Sequence, residues 1–127
     1  MAYNVLIVDD SAIVRAVVAK TLRIAGVDLG DVHEAANGKD ALTKIESTWI
    51  DIVFADINMP VMTGIEMVDK MAEKGLLKTI PVVIISTERS VTRIEELKAK
   101  GVSAYLNKPF TPENIKTVVD DLLGKRT

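Results

Sequence analysis

The sequence predicts a three-layer α/β/α fold built on a doubly wound parallel sheet of five strands in the order 2-1-3-4-5. Short β-branched runs alternate five times with longer segments of helical periodicity, and no linker interrupts them. The 127 residues fit one domain, 1–127, and are about half of what an eight-fold barrel needs. Right-handed crossovers leave few arrangements of five parallel strands, and 2-1-3-4-5 is the common one.

The first half of the chain is predicted to form a strand, a helix, a strand and a helix. Residues 5–8 are apolar throughout, as in a strand buried on both faces. Apolar residues at helical spacing predict a helix over 12–25, ended by Gly26. These apolar residues are Ile13, Val14, Val17, Val18 and Leu22. Residues 32–35 are more polar, which is typical of an edge strand, and a short helix follows the turn at residues 37–38.

The second half repeats the alternation three times. Strands are predicted at 51–55, 81–85 and 103–106, and helices at 64–74 and 91–100. Met67 and Met71 are expected to face inward from the third helix. Thr111 is the expected N-cap of the last helix, with Pro112 at its first position, and this helix runs to Gly124.

Composition excludes several classes of function. There is no cysteine, so disulfides, thiolate catalysis and cysteine-ligated metals are ruled out. The 16 basic and 18 acidic residues nearly balance, and this predicts no nucleic-acid partner. No apolar stretch approaches the roughly 18 residues of a membrane span, and the amino terminus lacks the features of a signal peptide. We therefore expect a cytoplasmic protein without membrane insertion.

Polar residues follow four of the five predicted strands, at the point where each strand ends. They are Asp9 and Asp10 after strand 1, Asp56 after strand 3, Ser86 and Thr87 after strand 4, and Lys108 after strand 5. In a doubly wound sheet these carboxyl ends share one edge, and the ligand crevice lies where the strand order reverses, between strands 1 and 3. Each residue alone has an ordinary role, as a helix cap, a turn residue or a surface lysine. That role would have to hold at all four strand ends together, so the pattern favours a functional site.

The chemistry expected of this site is phosphoryl transfer. Three neighbouring carboxylates repel one another unless a cation intervenes, and an all-oxygen set without histidine or cysteine selects Mg²⁺. A carboxylate can attack phosphorus and form an aspartyl phosphate. Lys108 can balance the charge of the phosphoryl group, and the Ser86 hydroxyl can donate to one of its oxygens.

The motifs resemble the receiver domain of bacterial two-component response regulators along the whole chain. The matching segments are Val8-Asp-Asp-Ser11, Asp56-Ile-Asn-Met-Pro-Val-Met-Thr-Gly64, Ile85-Ser-Thr87 and Asn107-Lys-Pro-Phe110, in the expected order and separation. The single-domain chemotaxis type, CheY-like with a flavodoxin-like topology, is the most similar group. This resemblance implies a signalling switch whose only chemistry is its own phosphorylation and dephosphorylation, not an enzyme.

The resemblance also implies roles for individual residues. Asp56 would accept the phosphoryl group, and Mg²⁺ would be held by Asp9, Asp10, Asp56 and the main-chain carbonyl of Asn58. The residues implied to respond to the phosphoryl group are the switch hydroxyl of Ser86, its neighbour Thr87, the amine of Lys108 and the aromatic ring of Tyr105. The Lys108–Pro109 bond is usually cis in this family.

The implied partners are proteins. A histidine kinase, or a small acyl phosphate, would supply the phosphoryl group, and the charge added to Asp56 would alter the face formed by helix 4, strand 5 and helix 5. Contacts with a downstream target, such as a flagellar motor or relay protein, are expected from Arg89, Arg93, Lys98 and Tyr105. The unphosphorylated protein is expected to be a monomer.

The chain departs from the usual receiver-domain pattern in two respects, and three other functions are alternatives to a receiver switch. Thr87 stands where the family usually has alanine, and Asn58 and Glu88 occupy positions that tune dephosphorylation, so we expect an altered phosphoryl lifetime. A haloacid-dehalogenase-type hydrolase has its nucleophile at the end of the first strand and a second aspartate two residues on. At that spacing Ser11 and Ala12 follow Asp9 and Asp10, and Asn58 follows Asp56. A flavodoxin-like electron carrier would need a hydroxyl- and glycine-rich loop after strand 1, where two carboxylates stand. A pseudo-receiver that binds partners without phosphorylation is the third alternative.

Overall fold

Strands and helices alternate along the chain in the computed structural model, which describes residues 2–87 and 91–124. Within these residues the strands are β1 (Tyr3–Val8), β2 (Leu29–Ala35), β3 (Ile52–Ala55), β4 (Val82–Ser86) and β5 (Ala104–Asn107). The helices are α1 (Ala12–Ile24), α2 (Gly38–Ser47), α3 (Gly64–Glu73), α4 (Val91–Ala99) and α5 (Pro112–Val119). A 3₁₀ turn covers Leu76–Lys78, and a turn of π-helix, Asp120–Gly124, continues α5. Throughout these described ranges, no helix has both the length and the apolar character that a membrane span requires.

The sheet confirms the predicted topology. All neighbouring strands are parallel, and their order is β2-β1-β3-β4-β5. Two apolar cores cover its faces. One joins the sheet to α2 and α3 through residues such as Leu6, Val53 and Met67, and the other joins it to α1 and α5 through residues such as Phe54 and Ile115. Because successive residues of a strand point to opposite faces, burial on both faces explains why the central strands are apolar throughout.

The second strand begins three residues earlier than predicted. Leu29 pairs with Tyr3 of β1, and the register is irregular between Tyr3 and Val5. The Asn4 side chain stabilises the added part of β2, because its Oδ1 accepts a hydrogen bond of 2.9 Å from the Asp31 amide. Polar residues fit this strand because it lies at the sheet edge, as predicted.

The apolar residues of α1 do not all face the core. Val18, Ala19 and Leu22 are buried against the sheet, whereas Ile13 and Val17 are 77% and 53% exposed. Periodicity alone could not reveal this, because α1 carries a second apolar stripe beside the one that packs.

The loop from β3 to α3 contains a strained residue. Val61 has a φ of 66°, and the Met62 amide donates to the Pro60 carbonyl at 2.6 Å, so the three residues form a γ-turn. A left-handed conformation is costly for a β-branched side chain, and 76% of Val61 is exposed, so burial does not repay the strain.

We expect Val61→Gly to stabilise the protein by about 1 kcal/mol, because glycine adopts positive φ freely while losing more entropy on folding. Urea unfolding of the variant beside Val61→Ala measures this difference. Alanine keeps the Cβ atom and should gain less, and a glycine variant less stable than the parent would contradict the assignment of strain.

Candidate functional site

The ends of the two central strands bring three carboxylates together. β1 and β3 are neighbours, and the Asp56 amide donates to the Val8 carbonyl at 3.0 Å, so Asp9 and Asp56 leave the sheet side by side. One carboxylate oxygen from each of Asp9, Asp10 and Asp56 lies within 4.8 Å of the others. The predicted convergence at the switch point of the sheet is therefore present in the structure.

Lys108 places a cation beside two of these carboxylates. Its Nζ atom lies 3.6 Å from Asp9 Oδ2 and 3.9 Å from Asp56 Oδ1. The Lys108 amide donates to the Ser86 carbonyl at 2.9 Å, which continues the β4–β5 ladder to the site, and the bond to Pro109 is cis. The lysine side chain is 25% exposed, so its charge is partly shielded from water.

Burial and neighbouring charges act together on Asp56. Burial raises the pKa of the Asp56 carboxyl, and the negative charges of Asp9 and Asp10 raise it further. The Lys108 ammonium and the Ile57 amide, which donates to Asp56 Oδ1 at 2.8 Å, lower this pKa, but burial outweighs them. The Asp56 carboxylate is therefore held in an unfavourable charged state that another cation would relieve.

The donor set fits a hard divalent cation. Asp9 is buried, Asp56 is partly buried and Asp10 is exposed, so the cluster opens to water on one side. Its ligand atoms are all carboxylate oxygens, which Mg²⁺ prefers, and magnesium usually retains several waters. Asn58 is exposed next to this cluster in sequence, so its side chain is not buried against the carboxylates.

The remaining predicted residues lie at the end of β4, on β5 and around α4. Ser86 is buried at the end of β4, at the same sheet edge as the carboxylates, and Thr87 directly after it is exposed. Tyr105 is partly buried on β5 and pairs in register with Ile84. On α4, Arg93 is partly buried and Lys98 is exposed, while Arg89 and Glu88 lie outside the described residues.

Sequence reasoning missed an apolar groove beside the site. This groove, of about 260 Å³, is lined by Val14, Val17, Val18, Thr21, Lys108, Pro109 and Phe110. Lys108 also lines the small cavity that contains Asp9 and Asp56, so the groove and the acidic cluster share one wall. Val17, which lines the groove, and Ile13, one turn earlier on α1, are both exposed. The second apolar stripe of α1 was the available signal.

Comparisons with known proteins point in one direction. The family model for the response regulator receiver domain matches residues 5–120. The chemotaxis protein CheY homolog of Campylobacter jejuni is 36% identical over 124 residues, which cover 95% of this chain and 92% of that protein. Chemotaxis protein CheY1 of Helicobacter pylori is 34% identical over 122 residues, covering 95% and 97%. The solved structure of chemotaxis protein CheY4 of Vibrio cholerae, crystallised at low pH, has a TM-score of 0.84 and 37% identity, covering 97% of this chain and 100% of that one.

Proposed function

The chain belongs to the response regulator receiver family, and we propose that it is a phosphorylation-activated switch of a two-component system whose phosphoacceptor is Asp56. The observation that carries this proposal is the clustering of Asp9, Asp10 and Asp56 around Lys108 at one sheet edge. Receiver domains are signalling switches, and these residues supply the chemistry that such a switch needs.

Among the three carboxylates, Asp56 is best placed to be the nucleophile. Asp9 is only 4% exposed, and its Oδ1 accepts a hydrogen bond from the Ser11 amide at 2.9 Å. Asp10 is exposed, so water solvates its carboxylate more fully than that of Asp56. Asp56 combines partial access with a nearby ammonium that can receive a phosphoryl group.

Asp9, Asp10 and Asp56 would hold Mg²⁺, with the Asn58 main-chain carbonyl as a further ligand. When bound, this ion neutralises the carboxylates and polarises the phosphoryl oxygens of the donor. The fit rests on the all-oxygen cluster and on the raised pKa of Asp56, both of which favour a divalent cation.

The protein's own residues account for the remaining steps. A carboxylate oxygen of Asp56 attacks phosphorus, the bond from phosphorus to the donor breaks, and the leaving group departs with the electron pair of that bond; an imidazole then takes a proton from water, whereas a carboxylate leaves as the anion. The new group carries a charge of about −1.5 to −2, which attracts Lys108 and the Ser86 hydroxyl. Movement of Ser86 frees space for Tyr105, and the α4–β5–α5 face shifts toward its partner-binding population. Water later hydrolyses the acyl phosphate and resets the switch.

The output side is proposed to be a protein target in chemotaxis or motility, since CheY proteins are among the relatives. Its contacts would include Arg89, Arg93, Lys98 and Tyr105. Among the α4 side chains that the structure describes, Leu97 alone is buried, so few core contacts resist a shift of this helix.

The input side is proposed to be a histidine kinase that docks over the exposed stripe of α1. The groove next to Lys108 opens beside the acidic cluster, so a protein that delivers a phosphoryl group to Asp56 passes over Val17 and Phe110. Exposed apolar side chains beside a reactive pocket are suited to such a contact.

We expect the double variant Ile13→Ser/Val17→Ser to accept phosphoryl groups from its kinase about ten-fold more slowly, because two apolar contacts are lost. Phosphorylation by acetyl phosphate should be unchanged, because the small donor needs no docking surface. Ile24→Ser is the matched control, since Ile24 is 62% exposed on the same helix but roughly 10 Å further along it. Equal losses with both donors would show damage to the site instead of docking.

Thr87→Ala is expected to shorten the lifetime of the aspartyl phosphate, because a smaller side chain after Ser86 admits water more readily. Autodephosphorylation measured after removal of the donor gives this lifetime for the parent and the variant. Identical rates would exclude Thr87 from control of the lifetime.

The decisive test of the proposed function is the intact mass after incubation with acetyl phosphate and Mg²⁺. One added phosphoryl group that requires both the metal and Asp56 supports the switch. Asp31→Asn is a suitable control, since it removes an exposed carboxylate of β2. No adduct and no Mg²⁺ binding would favour the pseudo-receiver alternative.

A further inference from the structure

An arginine contacts the main chain of the acidic cluster. Arg15, in the first turns of α1, donates from Nη1 to the main-chain oxygen of Asp9 at 2.6 Å. Its Nε donates to Glu34 Oε1 on β2 at 2.7 Å. The Arg15 side chain is only 16% exposed, so its bond to the Asp9 carbonyl is partly shielded from water, whereas its bond to Glu34 lies at the surface.

The Asp9 oxygen that Arg15 holds belongs to the peptide linking Asp9 to Asp10. A peptide group is planar, so fixing its oxygen also fixes the direction in which the Asp10 backbone continues. The other end of Asp9 is fixed as well, because its amide donates to the Ala35 carbonyl at 3.0 Å. Arg15 thus contacts the main chain between the two proposed metal ligands, whereas the described contacts show no bond from Arg15 to their carboxylates.

Glu34 determines where the guanidinium of Arg15 can lie. It sits on the edge strand, pairs in register with Ile7 of β1 and is about half exposed. The planar guanidinium reaches both Glu34 and the Asp9 carbonyl from one position, an arrangement that a lysine ammonium on a flexible stem does not fix in the same way.

We propose that Arg15, anchored by Glu34, is a positioning residue that orients the Asp9–Asp10 peptide for binding of the divalent cation. This inference rests on the proposed function, because it assumes that the acidic cluster binds Mg²⁺. It predicts that Arg15 strengthens the binding of a cation while being a cation itself.

The direction in which Mg²⁺ affinity changes when Arg15 is removed distinguishes a positioning role from a purely electrostatic one. Removing a positive charge close to a metal site strengthens metal binding if only Coulomb forces act. If Arg15 orients the ligands, removing it weakens metal binding, and loss of a group that orients metal ligands typically costs 10- to 100-fold in affinity. The direction of the change therefore decides between the two roles.

The experiment is a calorimetric titration of the metal-free full chain with Mg²⁺. We expect Arg15→Met to weaken Mg²⁺ binding at least about ten-fold. Arg15→Lys should lie between Arg15→Met and the parent, because it keeps the charge but not the planar fork. Arg23→Met is the matched control: it removes the same charge from the exposed end of α1 and should leave the affinity unchanged.

An unchanged or stronger affinity in Arg15→Met overturns the proposal, even if thermal unfolding shows that the variant is less stable. If circular dichroism shows that Arg15→Met does not fold, Arg15→Lys decides, and parental affinity in that variant likewise overturns it. Measurements on the parent protein distinguish a failure of this inference from a failure of the proposed function. A parent that binds Mg²⁺ and is phosphorylated by acetyl phosphate upholds the function whatever Arg15 does, whereas a parent that binds no Mg²⁺ overturns both.

Discussion

Asp56→Asn, which replaces the carboxylate by its neutral isostere, is expected to abolish phosphorylation by acetyl phosphate. The same change is expected to stabilise the metal-free protein at neutral pH. The amide is a poor nucleophile for phosphorus, so intact mass should show no added group. The same change removes a half-buried charge that lies within 4.8 Å of two other carboxylates. We expect the free energy of unfolding to rise by about 1–2 kcal/mol.

The stability gain should depend on pH in a definite direction. Because burial raises the pKa of Asp56, the folded parent holds this proton to a higher pH than the unfolded chain does. The parent therefore loses stability as the pH rises from the unfolded pKa through the folded pKa, and the advantage of Asp56→Asn grows over that window. Urea unfolding in a chelator, from about pH 4 to about pH 8, measures it.

Asp31→Asn supplies the control for this series, since it removes the same formal charge from an exposed position on β2. It should be phosphorylated like the parent and show little stabilisation. A variant at position 56 that is less stable than the parent at neutral pH would contradict the assignment of strain to the clustered carboxylates.

Gly64→Ala is expected to damage the site through the backbone. Gly64 is the first residue of α3, and its amide donates to the Ile57 carbonyl at 2.9 Å. A Cβ atom at this position would overlap the Asp56 carbonyl oxygen and lie 3.1 Å from Ile57 Cα. Neither backbone atom can rotate away, so the loop that carries Asp56, the proposed phosphoacceptor, has to move.

We expect this variant to lose about 1–3 kcal/mol of stability and to be phosphorylated about 100-fold more slowly, since a displacement of about 1 Å is enough for such a loss. Gly26→Ala is the matched control. Gly26 also has no side chain and has a φ of 82°, but an added Cβ would meet nothing within 4 Å. That control should lose about 1 kcal/mol and keep the parental phosphorylation rate. If Gly64→Ala is phosphorylated at the parental rate, the close approach of α3 does not position Asp56.

The features predicted correctly from the sequence are those that follow from local pattern plus a general rule of topology. The apolar runs of β1 and β3 identify central strands, and the rule that parallel strands end at one edge then places Asp9 and Asp56 together. The same rule predicts the position of Lys108 at this edge, because the residue comes directly after β5. The phosphoryl chemistry itself stays a prediction, which rests on how few uses carboxylates and an amine have when they converge.

The features that were missed depend on geometry between segments distant in the chain. The early start of β2 depends on the Asn4 side chain, and the exposed stripe of α1 depends on how the helix is rotated against the sheet. Likewise, Arg15 looks like an ordinary helix-surface charge until β2 brings Glu34 beside it. The left-handed Val61 contradicts local preference, and the surrounding loop imposes it.

The strand order has a consequence for the fidelity of signalling. The residues at positions 9, 56 and 108 are each separated by about fifty residues of chain, and they meet only when β1, β3 and β5 occupy their places in one sheet. Contacts between such distant segments carry a large loop-closure cost, so short fragments of the chain do not retain them. A nascent, cleaved or misfolded copy would therefore lack the complete proposed acceptor site, and under the proposed function it would not compete for the phosphoryl group. The proposed switch would in this way be restricted to copies that have finished folding.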